Sequence, residues 1–137
     1  MTDYTALDDA ALNRYVAERA GYRVEKSDDA PTRLYGPDGK VLLADDVFSA
    51  SGLWRYALET NIVGSYSTDL NVALRLPIDH LQVYEMTVDS SGRTSVRVEE
   101  SVISSRGRLN LDWQYDDRPA RAVAYAWLDY MKAKVTP

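Results

Sequence analysis

The chain has 137 residues, of which 45% are hydrophobic and 27% charged, an ordinary balance for one soluble core. Its 16 basic and 21 acidic residues leave a net charge of −5, which disfavours sequence-independent nucleic-acid binding, because that binding draws on a basic surface. Cysteine is absent, which excludes disulfides, thiolate metal sites and a cysteine nucleophile and fits a reducing cytoplasm.

No apolar run approaches the roughly 20 residues of a membrane span, so no membrane association is expected. The opening Met1-Thr2-Asp3-Tyr4 is not basic and leads into no apolar run, so no signal peptide is expected. Ten tyrosines stand against one phenylalanine. An apolar ring with a polar tip suits half-buried positions, interfaces and pocket walls.

Taken in order, the first element starts near Thr5 to Asp9 and places Leu12, Tyr15, Val16 and Ala20 on one face. Gly21 ends it as a left-handed cap. Tyr22 to Lys26 alternates and reads as a short strand, and Ser27 to Pro31 as a loop. Arg33-Leu34-Tyr35, Gly36-Pro37-Asp38-Gly39 and Lys40 to Leu43 read as a hairpin, its turn supplied with proline and glycine. Val47 to Thr60 is ambiguous. Ser49, Ser51 and Gly52 weaken its front half, while Trp54, Ala57 and Leu58 make its back half a short helix.

Asn61 to Ser67 is irregular, and Ser67-Thr68-Asp69 then caps a helix from about Leu70 to Leu76. Pro77 stops it. Leu81 to Val88 alternates, Asp89 to Gly92 is a turn, and Thr94 to Val102 alternates again, so these two strands should pair antiparallel. Leu109 to Trp113 is a candidate third strand. The last helix begins at Asp116-Asp117, has Pro119 in its first turn, and carries an apolar stripe through Val123, Ala124, Trp127, Leu128 and Met131. Lys132 and Lys134 suit its negative end. Helices at both ends around antiparallel strands predict an α+β fold, read as a three-layer α/β/α sandwich with a mainly antiparallel central sheet. No repeat or linker divides residues 1–137, so a single domain is expected.

Three segments together resemble a known family. Leu12-Asn13-Arg14-Tyr15-Val16-Ala17-Glu18-Arg19-Ala20-Gly21-Tyr22 resembles the opening helix of the phage α/β/α sandwich domain family of uncharacterised phage and prophage proteins. Tyr66-Ser67-Thr68-Asp69, with Ala73 after it, resembles that family's middle motif. Pro119 to Leu128 resembles its closing helix. The resemblance implies a three-layer sandwich and a phage or prophage origin, and it carries over no catalytic residues.

The residues themselves carry little catalytic signal. His80 is the only histidine. With Asp79 it would be a general base on a phosphoester, or simply a polar residue before a strand. The carboxylate doublets Asp8-Asp9, Asp28-Asp29, Asp45-Asp46, Glu99-Glu100 and Asp116-Asp117 would suit magnesium, but most fall where helices start or turns lie, and the capping role is favoured. No phosphate-binding glycine loop, nucleophile elbow or histidine zinc motif is present. Arg106 and Arg108 flank Gly107, and Arg118 and Arg121 enter the last helix, so all four can converge on an anion near its positive end. Solvated arginines paired to Asp112, Asp116 and Asp117 are the favoured reading. Trp54 is read as core or, with Tyr56, as an interface anchor.

The expected function is therefore non-enzymatic, without cofactor or metal. It is that of a small accessory protein, in the host cytoplasm if phage-encoded, that binds a host or phage partner, possesses an anti-defence role and self-associates into a homo-oligomer. The alternatives are a sequestering binder of a small anionic ligand such as a signalling nucleotide, and a phosphoester-acting enzyme built on His80.

Overall fold

A computed structural model describes residues 3–27, 30–78, 82–100, 111 and 113–135. The fold is α+β, with helices towards both ends and antiparallel strands between. The strands form two three-stranded sheets where the sequence reading placed one central sheet. Each sheet is built from consecutive strands that close locally. The chain divides into two compact units, residues 1–65 and 66–137.

In the first unit, helix α1 (Asp9–Ala20) starts on Asp8, whose carboxylate accepts the Ala11 N–H at 2.8 Å. Leu12, Val16 and Ala17 are its buried apolar residues, with Asn13 beside them. The strands β1 (Arg23–Ser27), β2 (Ala30–Tyr35) and β3 (Val41–Asp45) follow as an antiparallel meander. β2 begins at Ala30, inside the stretch expected to be a loop. Helix α2 (Ala50–Glu59) occupies the ambiguous segment and includes its front half. The reason is Ser49: read as a helix-weakening residue, it is the cap, accepting the Gly52 N–H at 3.1 Å. α2 packs against α1, β1 and β2. The core holds Leu12, Val16, Leu34, Leu53, Trp54, Ala57 and Val63. Thr32, also buried, donates its hydroxyl to the Phe48 carbonyl at 2.6 Å and ties β2 to the entry of α2.

In the second unit, Asp69 caps α3 (Leu70–Ala73), accepting the Asn71 and Val72 N–H groups at 3.0 and 3.4 Å. The helix is shorter than expected, and the chain continues in turns to Leu76 and Pro77. Two side chains hold that exit: the Tyr84 hydroxyl donates to the Leu76 carbonyl at 2.8 Å, and the Trp127 indole N–H donates to the Pro77 carbonyl at 2.9 Å. Strands β4 (Gln82–Val88) and β5 (Thr94–Glu100) pair antiparallel as expected, in a register that sets Tyr84 opposite Val98 and Met86 opposite Val96. Their turn is organised by the Asp89 carboxylate, which accepts the Ser91 hydroxyl at 2.6 Å and the Arg93 N–H at 3.0 Å. These bonds, the Ser91 hydroxyl first, lower the Asp89 pKa.

β6 (Gln114–Asp116) pairs with β5 and lies just after the stretch read as a third strand. Helix α4 (Pro119–Val135) packs on α3, β5 and β6. Ala73, Val96, Ala120, Ala122, Val123 and Ala126 form a core cluster, with Leu70, Tyr84 and Met86 packed against it. Every residue from Ala120 to Leu128 is buried, so α4 is covered on all sides there and not along one stripe. The described helices include none long and apolar enough to cross a membrane.

Candidate functional site

The arginines singled out in the sequence do not form a cradle among the described residues. Arg106 and Arg108 lie outside them. Arg118 is exposed, and its N–H donates to the Asp116 carboxylate at 2.8 Å. Arg121 is only 5% exposed. Its Nε stands 3.7 Å from the Asp116 carboxylate and donates to the Tyr125 hydroxyl at 2.8 Å. Burial raises the Tyr125 pKa, and the Arg121 hydrogen bond offsets part of that rise. Arg121 thus opposes a carboxylate inside the fold, which corrects its reading as an open anion ligand.

A second group of cations lies on the sheet β4-β5-β6. The Arg97 guanidinium bonds Glu85 at 3.1 Å and Glu99 at 3.4 Å, and sits over the Trp113 ring at 4.4 Å. Arg93 covers Tyr115 at 4.7 Å. Hydrogen bonding, with Glu99 first and Arg97 after it, lowers the Glu85 pKa. One face of each of these rings is covered by the chain's own guanidinium group.

In the first unit, α1 and α2 enclose a groove of about 590 Å³, lined by Ala11, Arg14, Trp54, Arg55, Leu58 and Glu59 among others. Its charges are balanced within each helix: Arg14 pairs with Glu18 at 3.3 Å and Arg55 with Glu59 at 3.2 Å. Trp54 is 3% exposed, with the Arg14 guanidinium 5.3 Å from its ring centre. It belongs to the core, the first of its two readings, and is not the exposed anchor of the second. Tyr56 does reach the surface, 42% exposed, its ring 5.4 Å from that of Phe48. His80 and Asp79 lie outside the described residues. Among the described residues no group of three or more histidine, aspartate or glutamate side chains is placed to hold a metal.

An exposed apolar surface that the sequence reading did not single out is the outer edge of β3. In the order β1-β2-β3, both β1 and β3 have one side without a strand neighbour among the described residues. The two differ in chemistry. β1 carries exposed Arg23, Glu25 and Lys26, and charge of this kind blunts an edge. β3 carries Val41 and Leu42, exposed by 49% and 43%, and runs on to Val47, exposed by 90%. The register against β2 shifts between Leu34, which faces Leu43, and Tyr35, which faces Val41. Leu42 therefore has no residue opposite it on β2. The apolar run itself was present in the sequence, since Val41-Leu42-Leu43 is continuous where a half-buried strand would alternate, but the run does not say that the strand lies at an edge.

Comparison with protein-family models, curated proteins and solved structures gives no match to this chain.

Proposed function

We propose that this protein is a non-enzymatic accessory protein that acts by binding a protein partner along the edge of β3. The observation that carries the reading is the contrast between the charged edge β1 and the exposed apolar edge β3. An unpaired strand offers backbone N–H and C=O groups to an extended segment, and side chains such as Val41 and Leu42 supply apolar area. The resemblance of the opening, middle and closing segments to a phage protein family is the ground for a phage or prophage origin; a host-cytoplasmic, anti-defence role is part of the proposal and not of the resemblance.

The test is capture from host lysate by three baits: wild type, Leu42→Glu and Val88→Glu. Leu42 and Val88 are both exposed, so neither substitution opens the core. Leu42→Glu is expected to lose the captured protein, and Val88→Glu, on the other sheet, to keep it. A protein captured equally by all three baits overturns the reading.

The groove between α1 and α2 supports a second reading, sequestration of a small anionic ligand. Its volume of about 590 Å³ lies in the range of small-molecule sites, and Arg14 and Arg55 line it beside Asp8 and Glu59, so an anionic ligand has to draw the two guanidinium groups from Glu18 and Glu59. A thermal-shift panel of nucleotides decides: stabilisation that Arg55→Ala removes supports this reading, and no shift from any of them removes it.

A further inference from the structure

We propose that the strand seated along β3 is β3 of a second copy of this chain, so that two three-stranded sheets join across a two-fold axis. The proposal rests on the reading of β3 as the docking edge and names its occupant. A two-fold axis that sets an edge strand beside its own copy stands perpendicular to the sheet. The strands then run antiparallel, and one residue faces itself across the axis.

That condition leaves three centred registers in the middle of β3, and the charges separate them. Centring on Leu42 sets Asp46 opposite Asp38 of the partner subunit, like charge against like. Centring on Ala44 sets Leu42 and Leu43 opposite Asp46 and Asp45 of the partner subunit, apolar side chains against carboxylates. Centring on Leu43 sets Leu42 opposite Ala44 of the partner subunit and Lys40 opposite Asp46 of the partner subunit, and symmetry repeats both pairs. Cross-strand pairs of opposite charge and of apolar residues both stabilise a ladder. Val41 then meets Asp45 of the partner subunit. Within one chain the Asp45 carboxylate already accepts the Val47 N–H at 2.7 Å, which keeps it hydrogen-bonded.

Among the described residues neither the Lys40 ammonium nor the Asp46 carboxylate takes part in an ion pair. A cation before the uncharged run Val41-Leu42-Leu43-Ala44 and anions after it, at Asp45 and Asp46, make a pattern that is self-complementary only in the antiparallel sense. It supplies register as well as attraction.

Sedimentation of the full chain tests this. Wild type is expected to form a reversible dimer. Lys40→Asp and Asp46→Lys each place like charges at both ends of the joint and are expected to raise the dissociation constant about tenfold. Mixing the two variants restores opposite charges at both ends, as does the double variant Lys40→Asp/Asp46→Lys, and both are expected to return the dimer. A wild type that is monomeric at every concentration reached, or a dimer indifferent to these charge changes, overturns the proposal. The broader reading has its own arm. If wild type is monomeric while Leu42→Glu abolishes lysate capture, the edge stands and the second copy falls. If Leu42→Glu leaves both dimer and capture intact, the edge reading itself falls.

Discussion

Gly21 and Tyr84 show how single residues fix the chain's path, one through its backbone and the other through its tip. Gly21 closes α1 at φ 112°, and a Cβ added there would stand 3.2 Å from the Cα of Pro37. Left-handed backbone costs an L-residue roughly 1–2 kcal/mol, so Gly21→Ala is expected to lower the unfolding free energy by about that much in urea denaturation. The cap was legible, because a glycine directly after an amphipathic run has one common use. The approach of Pro37 was not, since it joins positions far apart in sequence. Tyr84 buries its ring and donates to Leu76, and burial, with Tyr130 nearby, raises its phenol pKa above the ordinary 10.0. A raised value in the folded state stabilises fully below pH 10 and is lost as pH rises past it. Tyr84→Phe is expected to cost about 0.5–1.5 kcal/mol at neutral pH. Above pH 10, wild type should lose stability more steeply than the variant, as denaturant midpoints across that range would record.

At the scale of elements, the helices and hairpins were legible where the signal is local. The Gly36-Pro37-Asp38-Gly39 turn, the Asp69 cap and the β4–β5 alternation are each contained within a few residues. Helix α4 shows the limit. Its stripe of large apolar residues implied one buried face, yet Ala120, Ala122, Ala124 and Ala126 are buried with it. Alanine gives periodicity little contrast, so a helix covered all round passes for an amphipathic one. Arg121 shows the same limit in polar form. Nothing in a helix-start arginine says whether it faces water or a carboxylate; here Asp116 stands 3.7 Å away. Asp116→Ala removes a charge opposite a buried guanidinium and is expected to cost about 1–3 kcal/mol, read by thermal or urea unfolding.

At the scale of the whole molecule, the α+β class followed from the order of elements, but the grouping of strands did not. Six strands in two antiparallel meanders and six in one sheet have the same local patterns. Which strand lies at an edge is therefore invisible until pairing is known, and so is the contrast between β1 and β3 on which the proposed function rests. The apolar run Val41-Leu42-Leu43 was visible, but without the pairing it read as one arm of a hairpin. Backbone amide hydrogen exchange tests the edge most directly, comparing the chain alone with its associated state, whether with a captured partner or at self-associating concentration. The account predicts slowed exchange across Val41 to Asp45, no change in β1, and loss of the slowing in Leu42→Glu. Unchanged exchange in β3 on association, or slowing confined to another element, would contradict it.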